Sequence, residues 1–185
     1  MVPSAKEKIL LANVMQSKTI KPGTYRAYLA PAALAEIIQM ICWGGFSEKA
    51  HQTKTSALLS MREKQRTLHP HINLYENTVA GVAPNFQTEG FIKPNYVSLI
   101  ESGQLKHCLI SPRTAKEYQL KSNSANSEET PESLELRAGT LEKQHILNNL
   151  GTGLYINNLW YLNYSDRSSG RMTGMTRFAT FWVEK

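Results

Sequence analysis

Five histidines, two cysteines and fifteen carboxylates are the groups with which this chain of 185 residues can bind metal or move protons. Their spacing decides how far that goes. His69 and His71 lie two apart and would share a face on a strand, with Glu76 a little further along, which is the beginning of a metal site. Pro70 between them argues against a regular strand, so an exposed turn is the plainer expectation. Glu48 and His51 stand three apart, a spacing that carboxylate-metal sites use on helices, but one copy alone fits a solvated helix face. His107 and Cys108 alternate, so on a strand they point to opposite faces and cannot hold one ion without distortion. Cys42 and Cys108 are too few for a four-cysteine zinc site, and in a chain without an export signal they read as reduced thiols. His145 completes the histidines and stands alone.

Nucleophile motifs are no richer. There is no G-x-S-x-G elbow, and the "GTG" of residues 151–153 follows a helical stretch instead of opening one. Asp166, the only aspartate, sits in "YSDRSSGR", where a short carboxylate serves best as a turn cap through its own oxygens. Residue types and spacing alone therefore assemble no self-sufficient active site.

Length and composition set the frame for these groups. The chain is long enough for one ordinary domain, and 41% hydrophobic with 19% charged residues is the composition of a folded protein. A net charge of +6 gives weak affinity for polyanions. The basic residues are scattered, however, with Arg62, Lys64 and Arg66 the densest group, "SEETPESLE" opposes them, and no nucleic-acid motif is present, so nucleic acid is an unlikely partner. The stretch from Tyr28 to Phe46 is nearly uncharged but holds Pro31, Glu36 and Gln39, which favours a buried helix over a membrane span. "MVPSAKEKILL" lacks the apolar core of a secretory leader, and a cytoplasmic protein is expected.

The elements follow from pattern. "SAKEKILLANVM" predicts a short helix with Ile9, Leu10 and Met15 on its apolar side, and "KPGT" a turn. "TYRAYLA" reads as a strand. Pro31 starts a helix that Gly44 and Gly45 end, and Ser47 with Glu48 opens a more polar helix running toward Met61. "HINLYEN" alternates, with Ile72 and Leu74 on one face. "AGVAPNFQTEGFIKPN" reads as loop, and "YVSLIESGQLKHCLIS" as a hairpin turning at Ser102–Gly103. "PRTAKEYQL" makes one or two helical turns, "SNSANSEETPES" an exposed polar loop, and "TLEKQHILNNLG" a short helix stopped by Gly151. Two long β-rich segments close the chain around the Ser-Gly turn of Asp166, Arg167 and Arg171. Helices first and antiparallel strands after predict an α+β domain, β-rich, with helix 31–43 on a curved, barrel-like antiparallel sheet.

The segments "PGTYRAYLAPAALAEII", "GGFSEKAHQTKTSALLSM", "GFIKP", "LISPRTAKEY", "SLELRAGTL" and above all "LGTGLYINNLWYLNYSDRSSGRMTGMTRFATFWVE" resemble the C-terminal domain of the TldD/PmbA family, proteins named as modulators of DNA gyrase and described as metalloprotease-related. The resemblance covers residues 21–185 and leaves 1–20 as an N-terminal helix or linker remnant. It implies an incomplete domain, since family members continue past the "WVE" strand and carry a further N-terminal domain.

The resemblance also implies two paired types. The catalytic one carries H-E-x-x-x-H on the helix after the first strand, with both histidines on zinc, the glutamate as general base and a later cysteine as third ligand. Laid on that helix, the motif meets Gln39, Met40 and Gly44, and no histidine precedes His51. The chain resembles the metal-free TldE or PmbA type: no catalytic residue, no metal ligand and no cofactor of its own, with zinc expected only in a TldD-like partner subunit. Cys42 and Cys108 then read as core thiols. The implied role is a non-catalytic wall of a peptidase that degrades unfolded or precursor peptides, acting as a heterodimer or through self-association. Arg171, Arg177 and Asn158 on the closing hairpin are the candidate peptide-binding residues. A module acting on DNA gyrase and an inactive truncated product are the other readings.

Overall fold

The structure, a computed structural model, describes residues 4–15 and 17–185. In chain order these form α1 (Ala5–Met15), β1 (Ala27–Leu29), α2 (Pro31–Cys42), α3 (Glu48–Gln52), α4 (Leu59–Arg62), β2 (Leu74–Asn77), β3 (Tyr96–Glu101), β4 (Gln104–Leu105), α5 (Pro112–Tyr118), β5 (Leu134–Leu136), α6 (Ile146–Leu150), β6 (Gly153–Asp166) and β7 (Arg171–Val183). The chain divides into two compact units: residues 1–36, 141–161 and 174–185 make the first, and 37–140 with 162–173 the second. In α1, Ile9 and Met15 are exposed, and the Leu10 side chain lies outside the described residues.

Two sheets form, and they differ in kind. The first has the order β1-β6-β7, with β1 parallel to β6 in the register Ala27↔Leu154 to Leu29↔Ile156. Gly153 is required where these strands meet, because a Cβ there would stand 2.5 Å from the Arg26 carbonyl oxygen. The second has the order β4-β3-β2-β5 and is antiparallel throughout. The α+β class holds, but the expected barrel-like antiparallel sheet does not. The strand "TYRAYLA" pairs parallel with a strand more than a hundred residues away, and hydrophobic alternation carries no information about a pairing of that range.

The Ser102–Gly103 hairpin forms as the sequence predicts. Both residues are left-handed, at φ 48° and 75°, which is the geometry that matches the twist of β3 and β4. Behind β3 lies the core of the second unit, built from Phe46, Leu58, Met61, Leu74, Val97, Leu99, Ile100, Leu109 and Ala125, with Ile41 and Cys42 of α2 packed against it. Phe46 and Leu99 are wholly buried, each contributing about 1.5–3 kcal/mol. The polar helix expected from Ser47 to Met61 is instead two short ones. Lys54 takes φ 57°, and the chain turns there before α4.

Candidate functional site

β6 is flanked on both sides, whereas β7 ends its sheet, and among the described residues no strand covers its outer edge. The guanidinium of Arg177 lies 3.9 Å from the Trp160 ring centre and 4.8 Å from that of Phe178, a cation–π stack. Beside it Tyr161 and Phe178 are 77% and 71% exposed. Both are left-handed, at φ 56° and 58°, which costs a bulky residue about 1–3 kcal/mol. Asn158 is half-buried on β6, two residues beyond the stretch 154–156 that β1 pairs. Arg171 is exposed at the head of β7 in the other unit.

The turn between the strands caps itself as its sequence suggests. The Asp166 carboxylate accepts from Ser168 Oγ at 2.8 Å and from the Ser169 N–H at 3.3 Å, and these bonds hold it below the usual carboxylate range. Arg167 then fastens the turn to the end of α2. Its Nη2 donates to the Trp43 carbonyl, and the guanidinium sits over the rings of Trp43 and Tyr164. Tyr164 donates to the Met40 carbonyl at 2.7 Å. Gly44 makes room: it takes φ 80°, and a Cβ there would stand 2.8 Å from Arg167 Nη2.

Two carboxylates that the sequence placed in solvent are buried. Glu48 and His51, expected on a solvated helix face, are each 4% exposed. Arg62 grips Glu48 with two bonds of 2.6 and 2.7 Å, and Gln52 adds a third. Burial pushes the Glu48 carboxyl up, but Arg62 and Gln52 outweigh it and the net shift is downward. His51 Nε2 lies 2.9 Å from the Gly45 carbonyl, which can only accept, so Nε2 carries the proton. Nδ1 is buried with no partner, and burial lowers the ring's pKa.

Glu129 departs furthest from expectation. In "SNSANSEETPES", read as an exposed loop, it is 1% exposed. Its carboxylate accepts from Ser47 Oγ at 2.6 Å, the Lys49 N–H at 2.8 Å and the Ser111 N–H at 2.8 Å. Ser47 and Ser111 are the N-caps of α3 and α5, so one carboxylate ties two helix starts together. Burial raises its pKa, the donors lower it more, and the net direction is down. The Ser47 cap is legible in the sequence; nothing in it marks Glu129.

His69 and His71 form an exposed turn in which the His71 N–H donates to His69 Nδ1. Cys42 and Cys108 are free thiols, pushed up by burial to about 11 and about 12. Both are therefore poor nucleophiles.

The PmbA/TldA metallopeptidase C-terminal domain family matches residues 22–185. The chain belongs to this family. Solved structures share its fold, among them three from different organisms. A candidate modulator of a DNA gyrase from Thermotoga maritima superposes with a TM-score of 0.73 at 19% identity, covering 94% of this chain and 41% of that one. One from Bacteroides thetaiotaomicron gives 0.70 at 17%, covering 93% and 41%. TldE from Thermococcus kodakarensis gives 0.72 at 17%, covering 94% and 42%. This chain thus spans about two fifths of the length of each. No protein with a curated description matches significantly.

In this PmbA/TldA domain the residues at the positions where the catalytic type is expected to carry its zinc ligands do not fit the metal. Gln39 is exposed, Met40 is half-buried with its carbonyl taken by Tyr164, and Gly44 holds the Arg167 approach. Amide, thioether and hydrogen are not the donors zinc selects. Among the described residues no group of three or more His, Cys, Asp or Glu is placed to hold a metal ion.

Proposed function

We propose that this chain is the non-catalytic, peptide-holding part of a PmbA/TldA-type metallopeptidase assembly, in which another polypeptide supplies zinc and the general base. The single observation that carries this is α2 and the turn that ends it, which hold Gln39, Met40 and Gly44 at the positions where the resemblance calls for histidine, glutamate and histidine. Two further features support it. The outer edge of β7 offers backbone N–H and C=O groups to an extended peptide, which can add as another strand. Arg177, held on Trp160, keeps the edges of its guanidinium for a peptide carbonyl or carboxylate. Arg171 and Asn158 are assigned to the same role. The substrate class is unfolded or precursor peptide, the partner a TldD-like subunit or a second copy, and the location the cytoplasm. Among the described residues no helix is long and apolar enough to cross a membrane.

The test is reconstitution. The chain alone is expected to contain no stoichiometric zinc and to leave an unfolded peptide intact, while addition of a zinc-binding family member gives a complex that cleaves it. Stoichiometric zinc in the pure chain, with cleavage unaided, would overturn the proposal. A second reading, a binding module acting on DNA gyrase, is favoured by the descriptions of two structural relatives. Capture of gyrase from solution in place of a metal-binding partner would select it.

A further inference from the structure

The tip of the closing hairpin gathers charge that the sequence scatters. Arg66, just past α4, donates from Nη1 to the Ser169 carbonyl at 3.1 Å, across 103 residues of chain. A Cβ on Gly170 would stand 3.0 Å from the Ala57 carbonyl oxygen, so the tip also meets the connection between α3 and α4. All of these residues belong to the second unit. Segments 63–66 and 166–171 therefore form one surface, which holds Lys64, Arg66, Arg167 and Arg171 against Glu63 and Asp166. Four cations face two carboxylates, an excess of two. The neighbouring Arg62 and Glu48 pair with each other and add nothing.

The way these groups are held leaves that excess intact. Arg66 is bonded to a carbonyl. Arg167 gives Nη2 to the Trp43 carbonyl and lies over the Trp43 and Tyr164 rings at 5.4 and 5.5 Å, with its Nε buried and unpartnered. Carbonyl oxygens and ring faces carry no net charge, so neither guanidinium is neutralised. None of the four cations makes an ion pair among the described residues. Asp166 takes its bonds from Ser168 and Ser169, and Glu63 takes one from the Gln65 amide. Those donors are neutral too, so both carboxylates are already in the count.

Arg66 and Arg171 are exposed, and each offers a planar fork that can take a carboxylate through two parallel bonds. Trp43, 63% exposed beside the tip, adds an aromatic face for an apolar side chain next to the acid. An excess of two is small for a nucleic-acid surface, which neutralises many phosphates at once. Two forks and one ring match a short acidic stretch of polypeptide.

We infer that the hairpin tip is a docking surface for an acidic segment of a partner polypeptide. The inference goes beyond the function proposed above and does not rest on it; Arg171 is the one residue the two share. Titration of labelled acetyl-Glu-Glu-Phe-Glu-Glu-amide with the 185-residue chain, followed by fluorescence anisotropy, tests it, with the glutamine counterpart and an oligothymidylate for comparison. The acidic peptide should bind more tightly than either, and added salt should weaken it. Arg66→Gln and Arg171→Gln should each reduce the preference for acidic over neutral peptide about two- to fivefold, the size of an exposed ion pair. Glu63→Gln should increase that preference, an effect that a merely structural role of the tip would not produce. Arg177→Ala should leave it unchanged, which separates the tip from the β7 edge, where a neutral peptide can also add. If the acidic peptide binds no better than the neutral one, if the oligothymidylate binds more tightly, or if the preference survives both arginine substitutions, the assignment is wrong.

Discussion

Glu129 and His51 are the side chains whose surroundings leave least freedom. Replacing Glu129 by glutamine keeps the volume but turns one of its two oxygens into an N–H₂ group, which must face either the Ser111 N–H or the Ser47 hydroxyl and Lys49 N–H, so at least one buried donor loses its acceptor. A loss of about 2–4 kcal/mol is expected, measured as a lower urea midpoint with an unchanged slope. The folded-state pKa values of Glu129 and Glu48 are both lowered from 4.5. Their stabilisation is therefore complete above the unfolded value and drains away as pH falls below about 4.5 through the folded values. Glu129→Gln should flatten part of that acid limb. His51 acts at a higher pH. Its folded pKa lies below 6.5, so the folded chain binds fewer protons there than the unfolded one, and stability should fall as pH drops below about 6.5. In His51→Gln that limb should vanish, whatever the variant's stability at pH 8. None of this was visible beforehand. A Glu–His pair three apart looks the same in a sequence whether the helix face meets water or protein. Glu129 lies in a run of Ser, Asn and Glu that composition assigns to solvent, and its partners stand about eighty and eighteen residues away.

At the scale of elements, the sequence was most informative where the cause is local. Pro31, Ser47 and the Ser102–Gly103 pair act within four residues of themselves, and each starts or turns an element where its chemistry predicts. It was least informative where an element's partner is remote, as with β1 on β6. The Asp166–Arg171 turn shows both. Its self-capping is local and was expected, whereas the grip of Arg167 on the end of α2 spans 124 residues. Arg167→Ala should free the turn without unfolding the chain, seen as faster amide exchange over residues 166–171 and a loss of about 1–2 kcal/mol. Gly44→Ala should cost a similar amount, about 1–3 kcal/mol, because it adds left-handed strain and pushes on the same guanidinium.

For the whole molecule, an uncovered β7 edge and a helix without zinc donors lead to one expectation: activity belongs to an assembly. Trp160→Ala removes the platform under Arg177 and should weaken peptide capture by about three- to thirtyfold, from the order of magnitude of a partly exposed cation–π contact and its apolar area. Fluorescence anisotropy of a labelled unfolded peptide reads this directly, and unchanged affinity would count against the edge as the binding surface. The tie made by Glu129 also bears on how the chain is born. Ser47 and Glu129 are 82 residues apart, so the hydroxyl waits for a carboxylate that leaves the ribosome much later. A nascent chain exposed only as far as Tyr118 would hold both helices and their serine caps but not the carboxylate that ties them, and the starts of α3 and α5 should stay loose until residue 129 emerges and closes that long loop.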